Sequence, residues 1–293
     1  MNFKTLLSIS AMSITLIGCM HQTSSNTKYR LSSVNKASLQ SVVDARSSET
    51  KQRDNWRKPA ETLAFFRVEP GMTVAEALPG GGWYTEIIAN YLGSNGGLIG
   101  LNYNDDMWPK FGFFSEEAIK GQIARTAQFP SMVASKTTNG IKAAGYTFSN
   151  TPATANGTLD RILVIRALHN LNRFENDGGY RTKALKAMHR LLKPNGMVGV
   201  VQHKVAESTS DEGANGQRGY LKESAVIAMF EAAGFKLIDS SDMHANPKDV
   251  PGPKDIVWRL PPTLLGAQDK PELKAAMNAI GESNRMTLLF QKQ

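Results

Sequence analysis

Hydrophobic and polar positions follow two periods along this 293-residue chain. Short apolar runs are typical of strands buried on both faces, whereas apolar residues three or four apart are typical of helices. The alternation predicts an α/β protein with helices on both faces of a mostly parallel sheet. The predicted strands are 73–78, 98–101, 146–150, 160–167, 197–202, 235–239 and 286–292, and the predicted helices are 37–45, 60–68, 83–92, 115–128, 181–192, 222–233 and 271–281.

Three consecutive glycines, Gly80, Gly81 and Gly82, join the first of these strands to a helix. Glycine lets a ligand approach the backbone closely, and the helix start behind it offers unpaired N–H groups and a partial positive charge. The turn therefore predicts a site for a polar ligand head. Glu76, near the strand end, could accept a hydrogen bond from a ligand ammonium or hydroxyl group. A tight turn that holds no ligand is the alternative.

This stretch, E-A-L-P-G-G-G-W-Y-T-E-I-I, resembles motif I of class I S-adenosylmethionine-dependent methyltransferases, where an acid precedes G-x-G-x-G. Glu76 takes the place of the acid, Gly80 and Gly82 fall on the last two glycines, and Leu78 replaces the first, followed by Pro79. The turn L-K-P-N-G at 192–196 and A-G-F at 233–235 are also similar to family segments. The resemblance covers roughly 59–293 and is strongest to an exported bacterial branch of predicted methyltransferases.

The resemblance implies a Rossmann-like, seven-stranded and mostly parallel sheet, with the last strand antiparallel between the fifth and the sixth. It implies S-adenosylmethionine as the methyl-donor substrate and an unidentified small molecule as the acceptor. Asn102 stands where the family has an acid that holds the ribose, and Asp105 or Asp106 could substitute for it. The residues assigned to donor binding are Glu76, Pro79, Gly80, Gly81, Gly82, Tyr84, Asn102 and Arg166.

Two of these assignments have alternatives. Tyr84 either contacts the donor carboxylate or the acceptor, or packs as an aromatic residue at the helix start. Arg166 is expected to be buried against a carboxylate such as Glu76 or Asp160, with contact to a substrate anion as the alternative. Arg53 and Arg57 belong to a charged stretch that we interpret as solvated surface rather than as the border of the pocket.

Three of the five histidines, His169, His203 and His244, follow predicted strand ends. In an open parallel sheet the ligand lies beyond these carboxyl ends. Because imidazole titrates near neutral pH, His169 is the preferred base, with Asn170 orienting the acceptor or the ring. His203 is a second base or a substrate contact. Structural hydrogen bonding is the alternative for both histidines. No H-x-x-x-H or H-x-E spacing supports a metal site, so none is expected.

The N-terminus predicts export. Residues 1–18 have a short basic start and an apolar run too short to span a bilayer, which is typical of a signal peptide. Leu16-Ile17-Gly18-Cys19 resembles a bacterial lipobox, and the resemblance implies lipidation of Cys19. Met20 after the cysteine favours the outer membrane, with the protein facing the periplasm. An ordinary signal peptide is the alternative. The predicted divisions are signal peptide 1–18, tether and extension 19–58, and methyltransferase-like domain 59–293.

The net charge of +8 comes without any block of five like charges. Nucleic-acid binding is therefore not expected, and attraction to an anionic membrane surface is at least as plausible. Three functions remain open at this point. The first is methyl transfer to a small molecule, the second is an envelope binding protein that retains the fold without catalysis, and the third is a metal-assisted hydrolase.

Overall fold

The computed structural model describes residues 29–293. The predicted signal peptide and Cys19 lie outside these residues. The strands are β1 Thr73–Ala77, β2 Gly97–Asn102, β3 Lys142–Thr147, β4 Leu159–Ile165, β5 Leu192–His203, β6 Phe235–Ser241 and β7 Arg285–Lys292. The helices are α1 Ser33–Asp44, α2 Ser48–Lys51, α3 Asp54–Arg57, α4 Pro59–Phe65, α5 Trp83–Leu92, α6 Glu116–Ala134, α7 Leu168–Arg173, α8 Glu175–Gly178, α9 Tyr180–Leu191, α10 Glu223–Glu231 and α11 Pro271–Ile280.

The seven strands form one sheet in the order β3-β2-β1-β4-β5-β7-β6. β7 runs antiparallel to both β5 and β6, and the other neighbouring strands pair in parallel. This is the Rossmann-like class I methyltransferase fold that the sequence predicted, including the antiparallel last strand between the fifth and the sixth. The order reverses beside β1, so the carboxyl ends of β1 and β4 border a crevice where ligands bind in such sheets.

Alternate residues of the buried strands face two separate cores. Ile162 of β4 packs on one face with α9 and α10, while Leu163 packs on the other with α4 and α5. The second core also includes Leu39 and Val43 of α1, which are 1% and 5% exposed. The segment before α4 is therefore part of the same packed body from α1 onward.

The third strand begins earlier than the predicted 146–150. Its sequence K-A-A-G-Y-T lacks bulky apolar residues because α6 lies against it. A Cβ on Gly145 would come within 1.8 Å of the Thr126 carbonyl oxygen, so only glycine fits there. Small residues that serve close packing weaken the hydrophobic pattern from which a strand is predicted.

Within residues 29–293, no helix combines the length and the hydrophobicity that crossing a bilayer requires.

Candidate active site

The glycine turn follows β1 with a strained backbone. Leu78, which replaces the first glycine of the family pattern, has φ of 53°, and Gly80 has φ of 60°. The left-handed conformation that favours glycine is thus retained at Leu78, at a cost of about 1 kcal/mol or more. The Leu78 amide donates to the Leu101 carbonyl at 2.8 Å, which ties the turn to β2.

Two cavities meet at this turn. The arginine cavity, about 480 Å³, is bordered by Arg53, Arg57 and Arg166 together with Pro79, Gly80, Gly81, His169, His203, Glu282 and Ser283. The aromatic cavity, about 1430 Å³, is bordered by Tyr103, Trp108, Phe111, Phe113 and Phe114. Both cavities are lined by Leu78, Gly80, Asn170, Trp258 and Thr263.

The three glycines have different surroundings. A Cβ on Gly81 would meet no atom within 4 Å, and one on Gly80 would meet only the Leu78 carbonyl oxygen at 3.9 Å. Open space therefore lies in front of these two residues. Gly82 faces α6 instead, where a Cβ would come within 2.9 Å of Lys136 Cε and 3.0 Å of Met132 Sδ. Among the three glycines, Gly80 and Gly81 are the ones a ligand in the cavities could touch.

Glu76 and Tyr84 lie beneath the site rather than on its walls. Glu76 is 5% exposed and accepts a hydrogen bond from Thr85 Oγ1 at 2.6 Å. Burial raises the pKa of Glu76 to about 8, against a smaller lowering by that hydrogen bond, so the carboxyl group is largely protonated at pH 7. Tyr84 is buried and its hydroxyl donates to the Arg57 carbonyl at 3.1 Å. Tyr84 therefore positions α3, which carries Arg57.

Asn102 ends β2 with its side chain already engaged. Its Nδ2 donates to Thr126 Oγ1 at 3.0 Å, and the small cavity it borders holds only about 20 Å³. That volume is about the size of one water molecule. Asp105 and Asp106 are exposed and border neither large cavity, and Asp106 accepts a hydrogen bond from the Tyr180 hydroxyl at 2.8 Å. Neither carboxylate of the loop that directly follows β2 therefore borders the two large cavities.

His169 begins α7 directly beyond β4 and is 3% exposed. Its Nδ1 lies 3.2 Å from Gln202 Oε1, which also accepts from the His169 backbone amide. Gln202 Nε2 donates to the carbonyls of His203 and Gly219, which fixes the orientation of this amide. Nδ1 of His169 must therefore carry the proton, which leaves Nε2 as an acceptor. Burial lowers the pKa of His169 to about 4, so the ring is neutral at pH 7.

His203 ends β5 and borders the arginine cavity together with His169. Its ring centroid lies 5.4 Å from that of His169, and its Nδ1 lies 2.6 Å from Ser283 Oγ. Burial, followed by the nearby His169, lowers the pKa of His203 well below its usual value. Of the three histidines predicted after strand ends, the structure brings His169 and His203 together. His244 borders neither large cavity and uses both ring nitrogens, toward Thr287 and the Arg57 carbonyl.

Asn170 has an unpaired acceptor where the two cavities meet. The residue is 8% exposed, and its Nδ2 donates to the Tyr103 hydroxyl at 3.3 Å. Its Oδ1 is buried without a hydrogen-bond partner in the described chain. Because an unsatisfied buried acceptor costs about 1–3 kcal/mol, this oxygen is suited to accept a hydrogen bond from a ligand ammonium, amide or hydroxyl group.

The arginines correct two predictions. Arg53 and Arg57 border the arginine cavity, so the interpretation of that stretch as solvated surface was wrong for both. Arg166 lies at the same cavity, but neither proposed carboxylate partner was right. Glu76 is bonded to Thr85, and Asp160 pairs with Lys193 at 2.8 Å. The carboxylate whose charge most raises the pKa of Arg166 is Glu282, which lies in a distant part of the sequence.

Glu282, Ser283 and Trp258 also border the arginine cavity. From sequence alone, the segment 282–285 either closes the pocket or starts the last strand, and the loop 246–262 is a candidate lid. Trp258 belongs to the proline-rich loop 246–262. The length and proline content of this loop are the only features of the sequence that indicate a role in covering a site. Among the described residues, no group of three His, Cys, Asp or Glu side chains is arranged to hold a metal ion.

No protein-family model matches this sequence, and no curated protein matches it. The structure is similar to that of a SAM-dependent methyltransferase from Aquifex aeolicus, at 14% identity, covering 88% of this chain and 98% of that one, with a TM-score of 0.48. It is similar to Burkholderia thailandensis 1,6-didemethyltoxoflavin-N1-methyltransferase bound to 1,6-didemethyltoxoflavin and S-adenosylhomocysteine, at 14% identity, 89% and 87% coverage, and a TM-score of 0.44. It is also similar to the [4+2]-cyclase SpnF, at 15% identity, 80% coverage of each chain and a TM-score of 0.49. The strand order and directions, rather than these scores, define the fold class.

Proposed function

We propose that this protein transfers a methyl group from S-adenosylmethionine to a small-molecule acceptor. The observation that carries the proposal is the open backbone of Gly80 and Gly81 at the junction of two cavities beyond the carboxyl ends of β1 and β4. Together the cavities offer ample volume for a donor and an acceptor, since typical ligand pockets hold about 300–1,000 Å³.

The residues of the turn suit the amino-acid end of the donor. Gly80 and Gly81 let it approach the backbone, and the unpaired Asn170 Oδ1 would accept a hydrogen bond from its ammonium group. Tyr103 and Trp108 offer aromatic surface for the adenine ring. When bound, S-adenosylmethionine supplies an electrophilic methyl group on a sulfonium. The protein contributes positioning, because holding two reactants in line removes much of the entropic cost of their meeting.

His169 is suited to take the acceptor's proton at Nε2. The hydrogen bond from Nδ1 to Gln202 keeps the lone pair of Nε2 available, and the lowered pKa keeps the ring neutral at pH 7. A base with a pKa of about 4 is weak, but a hydroxyl group becomes strongly acidic once its oxygen is methylated. His169 therefore matches an acceptor that loses its proton with or after methyl transfer. Asn170 and His203 would orient the acceptor.

A binding protein that retains the fold without catalysis is the second candidate. The observation in its favour is the end of β2, where Asn102 donates to Thr126 and neither Asp105 nor Asp106 borders the large cavities to hold a ribose. Fold alone does not distinguish the two functions.

The test is calorimetric titration of the purified full chain with S-adenosylmethionine and S-adenosylhomocysteine. We expect Gly81→Leu to weaken both affinities by about a hundredfold or more, because the new side chain occupies the space in front of the turn, where a Cβ meets no atom of the fold within 4 Å. Gly121→Leu, on the exposed part of α6, is the matched control and should bind like the wild type. Absence of donor binding by the wild type, or equal affinity in both variants, would remove the methyltransferase proposal in favour of the binding protein.

We further propose that the protein is a lipoprotein of the bacterial cell envelope, anchored through Cys19 and facing the periplasm from the outer membrane. The support is the lipobox-like sequence before Cys19. Two acyl chains or more make a stable anchor. Expression with radiolabelled palmitate should label the wild-type protein in the membrane fraction. The Cys19→Ser variant should carry no label and should no longer be found in the membrane fraction. A soluble, unlabelled wild-type protein in a bacterial host would contradict the anchor.

A further inference from the structure

The wall of the arginine cavity carries more positive than negative charge. Arg53, Arg57 and Arg166 line it, and Glu282 is the one carboxylate among its described lining residues. Glu282 is already engaged by three arginines, Arg53, Arg57 and Arg285. Its Oε1 accepts from Arg53 Nε at 2.7 Å, and its Oε2 pairs with Arg285 Nη1, behind the wall, at 3.0 Å. Arg57 therefore only shares this carboxylate, at 3.8 Å between its Nε and Oε1, and Arg166 pairs with no carboxylate of the described residues.

Arg166 is held at the cavity without a bonded partner. Within residues 29–293 its guanidinium makes no hydrogen bond and has no carboxylate within 4 Å, and it lies on the wall of the arginine cavity. Its φ of 58° is the left-handed conformation that a non-glycine residue rarely adopts. Such strain costs about 1–3 kcal/mol and tends to occur at functional sites. The strained backbone and the unpaired cation occur in the same residue at the end of β4.

Arg57 is more deeply buried and is also short of partners. It is 4% exposed, and its Nε is unpaired apart from Glu282 Oε1 at a distance of 3.8 Å. Its guanidinium carbon lies 4.4 Å from the ring centroid of Trp83, an arrangement that holds the charge over an aromatic face. Burial, then the nearby Arg166 and Arg53, lower the pKa of Arg57, which indicates that positive charge is crowded there.

The methyl donor does not compensate this charge. S-adenosylmethionine carries an ammonium and a sulfonium against one carboxylate, so its binding adds net positive charge to a wall that already has an excess. We propose that the acceptor of the reaction proposed above carries a carboxylate or phosphate group and that Arg57 and Arg166 bind this group. The planar guanidinium, with its fixed set of donors, matches both anions.

This position also relates the anion to the proposed base. His169 and His203 line the same cavity as Arg57 and Arg166. An acceptor held by its anionic group at the arginines would therefore present the rest of its structure toward the histidine pair and the glycine turn. Because both imidazoles are neutral at pH 7, they add no further positive charge to the cavity.

The experiment measures the binding of inorganic phosphate and of succinate to the full chain by calorimetry at constant ionic strength. We expect Arg166→Gln and Arg57→Gln each to weaken the binding of at least one of these anions by about tenfold or more, because each removes a charge-assisted hydrogen-bonding group. Arg166→Lys should retain more of the affinity than Arg166→Gln. Arg125→Gln is the matched control, since Arg125 is an exposed arginine on the aromatic cavity. Circular dichroism verifies the fold of each variant.

Repeating the titration with saturating S-adenosylhomocysteine separates two sources of the anion. Unchanged affinity for the probe supports an anionic acceptor, whereas loss of binding means that the arginines hold the donor's own carboxylate, which overturns the proposal. Failure of the wild type to bind either probe, or equal affinities in Arg166→Gln and Arg125→Gln, also overturns it. These readouts do not require methyl transfer. If S-adenosylhomocysteine itself does not bind, arginine-dependent binding of phosphate or succinate would keep an anion site while the methyltransferase proposal fails.

Discussion

The two cavities beside the glycine turn are built from different chemistry. The aromatic cavity is bordered by rings that pack on one another, with Trp108 5.4 Å from Tyr103 and 5.7 Å from Phe111 between ring centroids. The arginine cavity is bordered by cations and imidazoles whose charged forms burial disfavours. The first wall stabilises the fold by burying apolar surface. Burial of the charged and titratable groups in the second wall opposes folding, which is typical of binding sites rather than of stabilising cores.

Truncation of the aromatic wall should have the largest effect on stability. Trp108 is 5% exposed, so Trp108→Ala is expected to lower the free energy of unfolding by about 3–5 kcal/mol in urea denaturation. Phe113→Ala on the same cavity is the control, because Phe113 is 69% exposed and should change stability by less than about 0.5 kcal/mol. On the opposite wall, Arg166→Gln should cost far less than Trp108→Ala. Equal losses for Trp108→Ala and Arg166→Gln would remove the contrast between the two walls.

Acid should lower the free energy of unfolding through the histidines of the arginine cavity, by somewhat less than Trp108→Ala does. The pKa of His169 is about 4 in the folded protein and 6.5 when unperturbed. Between these two pH values the imidazole is protonated in the unfolded state but not in the folded state. The contribution of His169 to stability is therefore fully present above pH 6.5 and is lost as the pH falls toward 4, by about 3 kcal/mol.

Denaturation of the wild type and of His169→Gln between pH 7 and pH 4 measures this contribution. Carboxylates and the remaining histidines titrate in both proteins, so the difference between the two curves isolates His169. We expect the wild type to lose more stability than the variant across this range. Parallel curves would mean that His169 titrates normally, and the idea of a permanently neutral base would then be abandoned.

The sequence predicted the fold well because its signals are local. Every predicted strand and helix was found, and α6 begins where predicted because Ser115 caps it by accepting from the Ala118 amide at 3.2 Å. Asn195, in the turn at 192–196, adopts a left-handed conformation with φ of 62°, which asparagine tolerates. The site was predicted only in part. His169, Asn170, His203, Gly80 and Gly81 lie where strand ends meet, as the topology requires, whereas Arg53, Arg57 and Glu282 come from segments that carry no periodic or motif signal for a site.

The local sequence thus determined which segments are strands and where the chain turns. It also determined that a glycine bend lies at the carboxyl edge of a parallel sheet. Only the tertiary structure decided which side of that bend is open. Gly82 and Glu76 belong to the motif, yet the packing of α6 and the burial of β1 turn them away from the cavities. Arg53 and Arg57 border the arginine cavity because tertiary contacts hold them there, from Arg53 to Glu282 and from the Tyr84 hydroxyl to the Arg57 carbonyl. The period of hydrophobic residues along the chain indicates whether a residue is buried. The direction in which a buried polar group faces depends instead on elements that are distant in sequence.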